Sequence, residues 1–274
     1  MQESEIRVIA VDMDDTLLRS DGTVSARTLA ALEAWQAGGG RTVIATGRPP
    51  RSIAPSLPRL LHDAPFIAYN GADVRMAGRV IHADLIPIDD ARAIVEAAQA
   101  SLLNYAVGLE INDQIYLNRA PDRPKQYVYT ENLLDILTEP VAKILFFPTR
   151  PDADFERDDA DLEALLAALP ASTRLMRSNR FRLIQLMSQS ADKVAALEVV
   201  LGHWHLGLAN VAAFGDDVND VEMVRRAGLG VAVANAVPEV HAVAARITGT
   251  NDEDGVAAVI EELLQVGAPA GPGR

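Results

Sequence analysis

Short, almost unbroken apolar runs constrain the fold of this chain more than any other feature of its sequence. Runs of this kind, rich in Val, Ile and Ala, are typical of parallel strands that are buried on both faces. The runs are IRVIAV at 6–11, TVIA at 42–45, FIAY at 66–69, VAAF at 211–214 and GVAVA at 230–234. Stretches with helical spacing of apolar residues lie between or after them, at 25–40, 219–228 and 255–267. This alternation predicts an α/β fold, a Rossmann-like core with a mainly parallel sheet.

The middle of the chain has a different pattern. Two segments alternate apolar and polar side chains around a turn, which predicts hairpins that turn at Asn112-Asp113 and near Ser178-Asn179. Amphipathic helices and one further strand are also predicted there, at 87–101, 154–170 and 141–147.

These patterns predict an inserted module. We expect a core formed by residues 1–83 and 188–274, and an α+β insertion, the cap, formed by residues 84–187. The Gly- and Pro-rich segment 267–274 is predicted to be disordered.

Composition excludes several classes of function. The formal net charge of −13 argues against binding to nucleic acid, which needs a basic surface. The chain has no cysteine, so disulfides and thiolate metal sites are excluded. The first residues lack the order of a signal peptide, and no apolar run reaches the ~18 residues of a membrane span. We therefore expect a cytoplasmic protein that acts on a small molecule, away from membranes, and no feature indicates an obligate protein partner.

Polar residues follow four of the predicted strands at the point where each strand ends. Ligands of open parallel sheets bind at this edge, so these residues are expected to meet in space. The segments are Asp12-Met13-Asp14-Asp15-Thr16, Thr46-Gly47-Arg48, Asn70-Gly71 and Gly215-Asp216-Asp217-Val218-Asn219-Asp220. Converging carboxylates repel one another unless a cation lies among them. Oxygen ligands without cysteine favour a hard cation, and Mg²⁺ is predicted.

The residues at the end of the first strand suit phosphoryl transfer. Asp12 can bind the metal through one carboxylate oxygen while the other attacks phosphorus, which forms an aspartyl-phosphate. Asp14 lies two positions further and can serve as the acid that protonates the leaving alcohol, and then as the base that activates water. Thr46 and the amide of Gly47 can donate hydrogen bonds to phosphate oxygens.

Four motifs in this order resemble those of the haloacid dehalogenase superfamily of phosphatases. DMDDT at 12–16 is similar to its first motif and TGR at 46–48 to its second. Lys193, in DKVAAL, is similar to its third-motif lysine. GDDVND at 215–220, followed by Met223, resembles the fourth motif of the Cof-type sugar-phosphate phosphatases. The position and α/β content of the insertion are similar to the cap of that subfamily.

The resemblance implies roles for the site residues. Asp12 would be the nucleophile and Asp14 the acid/base. The Asp12 carboxylate, the Asp14 backbone carbonyl and the Asp216 carboxylate would hold Mg²⁺. Lys193 would neutralise the transferring phosphoryl group, and Asn219 would contact phosphate or a metal-bound water. Two further residues, Asp217 and Asp220, are expected to lie behind the metal ligands and to support them.

Two positions depart from the family pattern, and the substrate is left open. Asp15 and Val194 stand where the family usually has glycine. The cap is expected to select the leaving group, with Arg48, Asn70 and Gly71 as candidate substrate contacts, and Arg180 and Arg182 as further ones. Aromatic residues make up only 5% of the chain, which favours sugar or polyol phosphates over nucleotides.

Three other functions remain possible from the sequence. A receiver module also uses an acidic cluster, a Thr and a Lys, but it is shorter, lacks an insertion and carries its phosphorylated Asp on a middle strand. A phosphomutase with a similar core would return the phosphoryl group to a sugar and would need a bisphosphate activator. A binding protein that has lost activity would not need both Asp12 and Asp14.

Overall fold

The computed structural model describes residues 5–102, 104–121, 126–149, 160–178 and 183–266. The predicted tail at 267–274, Asn179 of the second predicted turn, Arg180 and Arg182 lie outside these ranges. The chain forms two compact units: the first is Met1–Ala83 with Asp192–Arg274, and the second is Asp84–Ala191. The sequence placed the end of the insertion at 187, whereas the second unit continues to Ala191. None of the described helices is both long and apolar enough to cross a membrane.

A mainly parallel eight-stranded sheet forms the centre of the first unit, which confirms the predicted fold class. Its strands are β1 (Val8–Val11), β2 (Arg41–Ala45), β3 (Phe66–Ala68), β4 (Asp73–Met76) and β5 (Arg79–Ala83), and, from the end of the chain, β12 (Val211–Gly215), β13 (Leu229–Ala232) and β14 (Arg246–Ile247). Their order in the sheet is β14-β13-β12-β1-β2-β3-β4-β5. Five of these strands are the five predicted apolar runs. Strands β1, β2 and β12 are buried almost throughout, as expected for strands covered on both faces.

Helices cover the sheet of the first unit. They are α1 (Ala26–Ala37), α4 (Lys193–His203), α5 (Val221–Arg226), α6 (Pro238–His241) and α7 (Gly255–Val266). Helix α1 begins where the sequence predicted, because the Ser25 side chain accepts a hydrogen bond from the Thr28 N–H. Helix α4 packs its apolar side chains, among them Val194 and Leu197, into a cluster with Val8 and Val43 of the sheet.

The hairpin formed by β4 and β5 was not predicted. Both strands pair antiparallel, β4 with β3 and β5 with β4, at one end of an otherwise parallel sheet. The strands carry charged residues and β5 is largely exposed, so they lack the apolar run that marked the buried strands. The turn between them uses two residues with left-handed backbone, Ala77 (φ 49°) and Gly78 (φ 73°).

Among its described residues, the second unit contains a six-stranded sheet and two α-helices. Its strands are β6 (Tyr105–Ile111), β7 (Gln114–Leu117), β8 (Val128–Tyr129), β9 (Lys143–Pro148), β10 (Thr173–Ser178) and β11 (Leu183–Ser188), and its helices are α2 (Ile88–Ser101) and α3 (Ala160–Ala167). The order of the strands is β10-β11-β9-β6-β7-β8. The first predicted hairpin is confirmed, with Asn112 and Asp113 both left-handed at its turn. Strands β10 and β11 pair antiparallel, as the second predicted hairpin requires.

The register of the large sheet brings four strand ends together. Val11, the last residue of β1, lies opposite Phe214 of β12 and Ile44 of β2. Ala45 lies opposite Ile67 of β3. The polar segments that follow these four neighbouring strands therefore leave the sheet at one edge and at a similar level.

Candidate active site

The site begins where β1 ends. Asp12 lies one residue beyond the strand, and its backbone N–H donates to the Phe214 carbonyl at 3.1 Å, which ties it to β12. Its side chain is almost entirely buried. The chain then turns tightly through Met13–Leu17, with the Leu17 N–H donating back to the Asp12 carbonyl. Asp12, the nucleophile predicted from the sequence, is thus held on both sides by backbone hydrogen bonds.

Lys193 lies between two buried carboxylates. It is the first residue of α4, and the preceding Asp192 caps that helix by accepting bonds from the N–H groups of Val194 and Ala195. Its Nζ lies 2.6 Å from Asp12 Oδ1 and 2.7 Å from Asp220 Oδ1, and only 1% of the side chain is exposed. Burial alone would lower the pKa of Lys193, but the charges of Asp12 and Asp220 outweigh it and raise that pKa above its ordinary value.

Three carboxylates converge beside this lysine. Oxygens of Asp12, Asp216 and Asp220 lie within 4.8 Å of one another. When all three are ionised, Lys193 leaves two of their negative charges uncompensated. Burial, aided by the neighbouring carboxylates, raises the pKa of Asp12 well above its ordinary value even though Lys193 opposes this. Burial also raises the pKa of Asp216 to about 7, although a hydrogen bond from Thr16 lowers it.

This cluster fits a divalent cation. All its candidate ligands are oxygens, which suits Mg²⁺, and the uncompensated charge equals that of the ion. Asp220 is the least suited of the three to bind metal directly, because its Oδ1 accepts from Lys193 and its Oδ2 accepts from the N–H groups of Asp216 and Asp217. The geometry therefore leaves Asp12 and Asp216 as the carboxylates best able to reach an ion.

The other acidic residue of this loop has a local function. The Asp217 carboxylate accepts a 2.8 Å bond from the Val218 N–H and caps the short turn Val218–Asp220. Asp217 is exposed. In this structure its side chain stabilises the turn that carries Asn219 and Asp220.

Asp14 forms an ion pair with a residue from the second motif. Arg48 donates from Nε to Asp14 Oδ2 at 2.8 Å and from Nη2 to Asp14 Oδ1 at 2.6 Å. The guanidinium is itself anchored, since Nη1 donates to Ser56 Oγ at 2.5 Å. Both oxygens of Asp14 thus bind one fork-shaped cation, an arrangement that fixes the direction of the carboxylate. The sequence singled out Arg48 as a substrate contact and did not reveal this partner.

The second motif and the segment after β3 lie against each other. Thr46 is buried, and its Oγ1 accepts a 3.1 Å bond from the Arg48 N–H, which leaves the hydroxyl able to donate as well. A Cβ on Gly47 would lie 2.9 Å from Asn70 Oδ1, so a larger residue at this position would require the Asn70 side chain to shift. Asn70 Oδ1 in turn accepts a 2.9 Å bond from Asn219 Nδ2.

The two departures from the family pattern have structural explanations. Asp15 has left-handed backbone angles, φ 59° and ψ 8°, which glycine adopts most easily and aspartate tolerates better than most residues. Its carbonyl accepts a 2.7 Å bond from Asn235 Nδ2, which holds this conformation. Val194 points into the apolar cluster of the first unit and is almost fully buried.

Substitutions at Asp15 test the conformational requirement. We expect Asp15→Val to lower the free energy of unfolding by about 1–2 kcal/mol, because a β-branched residue is strained in the left-handed region. Asp15→Gly is expected to change it by less than about 1 kcal/mol, because glycine adopts that region freely. Urea unfolding of the two variants measures the difference. Equal destabilisation by glycine and valine would contradict the explanation.

One further contact was absent from the sequence-based prediction. Thr16 Oγ1 donates to Asp216 Oδ1 at 2.6 Å, across 200 positions of the chain. Thr16 is part of the first motif, so the motif could have marked it as a site residue. Its partner, Asp216, could be identified only from the folded chain. The bond holds one oxygen of Asp216 in place.

Comparisons with known proteins identify relatives of this chain. A family model described as haloacid dehalogenase-like hydrolase matches residues 9–260. A 5-amino-6-(5-phospho-D-ribitylamino)uracil phosphatase of Bacillus subtilis is 28% identical over 278 residues, which cover 96% of this chain and 100% of the relative. The crystal structure of a Thermotoga maritima protein is similar with a TM-score of 0.83 at 26% identity, over 94% of this chain and 97% of that one. The crystal structure of a haloacid dehalogenase-like hydrolase from Bacteroides thetaiotaomicron is similar with a TM-score of 0.79 at 26% identity, over 94% of this chain and 100% of that one.

Proposed function

This chain belongs to the haloacid dehalogenase-like hydrolases, in the Cof-type group of phosphatases that its four motifs indicated, and from this premise we propose that it is a Mg²⁺-dependent phosphomonoesterase. The reaction would proceed through an aspartyl-phosphate on Asp12. One observation carries the proposal: a buried carboxylate at a strand end is held by a buried lysine beside two further carboxylates.

The position of Asp12 supports its role as the nucleophile. Lys193 binds Oδ1, which orients the carboxylate and leaves its second oxygen available for attack. That oxygen attacks phosphorus as the bond from phosphorus to the leaving-group oxygen breaks. Lys193 and Thr46 then offer positive charge and a hydroxyl donor to the phosphoryl oxygens. Bound Mg²⁺, held by Asp12, Asp216 and the Asp14 carbonyl, would supply further neutralisation of the phosphoryl charge.

Asp14 is proposed to move the protons. In the first half-reaction its carboxyl group gives a proton to the departing alkoxide, and in the second its carboxylate takes a proton from the water that attacks the aspartyl-phosphate. Phosphate leaves and the Asp12 carboxylate is restored. Arg48 donates to both oxygens of Asp14, so a leaving-group oxygen or a water molecule would reach this carboxylate more easily once one of these bonds has opened. An arriving phosphate dianion attracts the same guanidinium, which offers a way to release Asp14 when substrate binds.

The proposed substrates are small sugar or polyol phosphates. The Bacillus subtilis relative is named for a substrate whose phosphate is carried by a ribityl chain, a polyol. The low aromatic content of this chain offers few side chains on which a base could stack. We propose that the unit Asp84–Ala191 provides the selectivity for the organic part of the substrate.

A substrate panel tests the function. Purified protein is assayed for phosphate release from sugar, polyol, nucleotide and cofactor phosphates, each with Mg²⁺ and with a chelator. We expect Mg²⁺-dependent release that is fastest with a sugar or polyol phosphate. No release from any phosphomonoester would overturn the proposal, and turnover that required a sugar bisphosphate and moved phosphate between positions would favour a phosphomutase.

The raised pKa of Asp216 predicts how metal binding depends on pH. The folded pKa of about 7 lies above the ordinary value of 3.8, so in the metal-free protein the folded state holds a proton that the unfolded state releases. The contribution of Asp216 to the stability of the metal-free protein therefore falls as pH rises from about 3.8 to about 7, and it is constant above that. Mg²⁺ must displace that proton, so its apparent affinity is expected to rise by up to about tenfold per pH unit below pH 7 and then to level off.

Thermal unfolding with Mg²⁺ and with a chelator measures this dependence. The Mg²⁺-induced rise in Tm is expected to be small near about pH 5.5 and largest above about pH 7.5. Asp216→Asn should abolish most of the rise at every pH. A shift in Tm that is constant over this range would contradict the assignment of Asp216.

A further inference from the structure

The turn Tyr69–Gly71 after β3 has an unusual backbone. Three successive residues have positive φ: 51° at Tyr69, 58° at Asn70 and 110° at Gly71. Tyr69 carries a bulky side chain that disfavours this region, whereas asparagine and glycine adopt it more easily. A bulky residue keeps such a conformation where surrounding contacts fix it. The structure shows what those contacts are, and they lead to three separate motifs of the active site.

The first contact is with the second motif. The Asn70 N–H donates to the Thr46 carbonyl at 3.0 Å, and the Tyr69 N–H donates to the Arg48 carbonyl at 3.0 Å. The Asn70 side chain also fills the space that a Cβ on Gly47 would need. The backbone of the proposed phosphate-binding segment is therefore held from both sides of Gly47.

The second contact is with the start of α4. A Cβ added to Gly71 would lie 2.4 to 2.6 Å from the backbone O, C and N of Asp192. Asp192 is the residue that caps α4, and Lys193 is the first residue of that helix. The turn thus packs directly on the backbone that carries the lysine, at a distance that only glycine allows.

The third contact is with the fourth motif. Asn70 Oδ1 accepts a hydrogen bond from Asn219 Nδ2, and Asn70 is only 2% exposed. This bond fixes the orientation of the Asn219 amide: Nδ2 keeps a second hydrogen to donate, and the buried Oδ1 of Asn219 accepts no hydrogen bond among the described residues. An amide held in this way can donate to a phosphate oxygen and accept from a water molecule.

We infer that Asn70 is a positioning residue, which acts on phosphate through Asn219 and does not select the substrate itself. This assigns a different role from the substrate contact that the sequence suggested, and it rests on the proposed phosphatase function. Because Asn70 is nearly inaccessible and its side-chain oxygen is bound to Asn219, its influence reaches the reaction through the motifs it contacts. The turn fixes the Thr46-Gly47 segment, the start of α4 and Asn219 relative to one another.

A double-substitution cycle between positions 70 and 219 tests the inference. Asn219→Ala alone is expected to lower kcat/KM by about 10²-fold, as removal of a donor to the reacting group does. Asn70→Gly keeps the left-handed backbone and removes only the side chain. In the Asn70→Gly background, Asn219→Ala is expected to cost less than about threefold, because the amide has already lost its orientation.

A second background keeps the oxygen that Asn219 needs. Asn70→Asp retains an acceptor at the same place, so Asn219→Ala should lower activity there by about as much as in the unaltered protein. This comparison still decides the question if Asn70→Gly does not fold. Loss of the Asn219→Ala effect in the aspartate background would count against the inference, as would its persistence in the glycine background.

The same set of variants is also compared by the dissociation constant for inorganic phosphate in the presence of Mg²⁺. Calorimetry measures this constant, and the measurement requires no turnover. The inference and the proposed function are thereby tested separately: inactive wild-type protein counts against the function, and an additive phosphate-binding cycle counts against the inference. The effect of Asn70→Gly on kcat/KM is also expected to be uniform across the substrate panel. If Asn70→Gly changed the ratio of kcat/KM between two substrates by more than about tenfold, Asn70 would contact the substrate directly.

Two glycines provide a matched test of the contact with α4. Gly71 and Gly78 both have positive φ, but a Cβ on Gly78 would meet nothing within 4 Å. Alanine at either position costs the left-handed strain of about 1 kcal/mol. Only Gly71→Ala displaces the start of α4, so it alone is expected to weaken phosphate binding by about tenfold or more. Equal phosphate affinity in the two variants would overturn this part of the inference.

Discussion

Asp12→Asn is expected to lower kcat by about 10⁴-fold or more, the scale on which enzymes lose activity when the nucleophile is removed. The amide has nearly the same volume as the carboxylate but does not form an acyl phosphate. Burial raises the pKa of the Asp12 carboxyl group, which means that the folded protein disfavours its negative charge. Asparagine removes that charge, so the Tm is expected to stay the same or to increase. Phosphate release, with acid-quench trapping of the phosphorylated protein, measures the loss.

The matched control is Asp63→Asn, an exposed aspartate in the same unit that takes no part in the proposed site. It is expected to leave kcat and the Tm unchanged. If Asp12→Asn kept more than about 1% of the activity, or still formed a phosphorylated intermediate, another residue would have to be the nucleophile.

Lys193→Met is expected to reduce both activity and stability. Methionine fills most of the volume of the lysine stem but leaves Asp12 and Asp220 without their shared cation. Breaking a buried ion pair by removing one partner costs about 3–5 kcal/mol, so the free energy of unfolding should fall by that amount at neutral pH. The loss of a cation beside the transferring phosphoryl group should lower kcat by about 10²-fold or more.

The control for this substitution is a cation on the surface. Arg226 pairs with Glu198 at 2.8 Å, and both side chains are about half exposed. Such pairs contribute about 0–1 kcal/mol, so Arg226→Met should have little effect on the unfolding midpoint and none on kcat. Urea unfolding and steady-state kinetics compare the two variants. Similar losses of stability in both would contradict the buried position of Lys193, and unchanged kcat in Lys193→Met would contradict its proposed role.

Local patterns in the sequence were sufficient for the core strands and for the polar segments that follow them. The buried strands of a parallel sheet need continuous apolar residues, so β1, β2, β3, β12 and β13 could be recognised one at a time. Because such strands end at a common edge, the polar residues after them could be placed together without knowing any distance. The β4–β5 hairpin escaped prediction for the same reason, since its exposed strands carry no continuous apolar run.

The sequence alone determined which residues gather at the edge of the sheet, because chain order and strand direction decide that. Only the tertiary structure decided how they pair: Arg48 with Asp14, Thr16 with Asp216, Asn70 with Asn219. These partners are 34, 200 and 149 positions apart, and hydrogen bonds form only when donor and acceptor lie within a few tenths of an ångström of the right distance. No local pattern of residues specifies a separation that small, since it depends on how every intervening strand and helix packs.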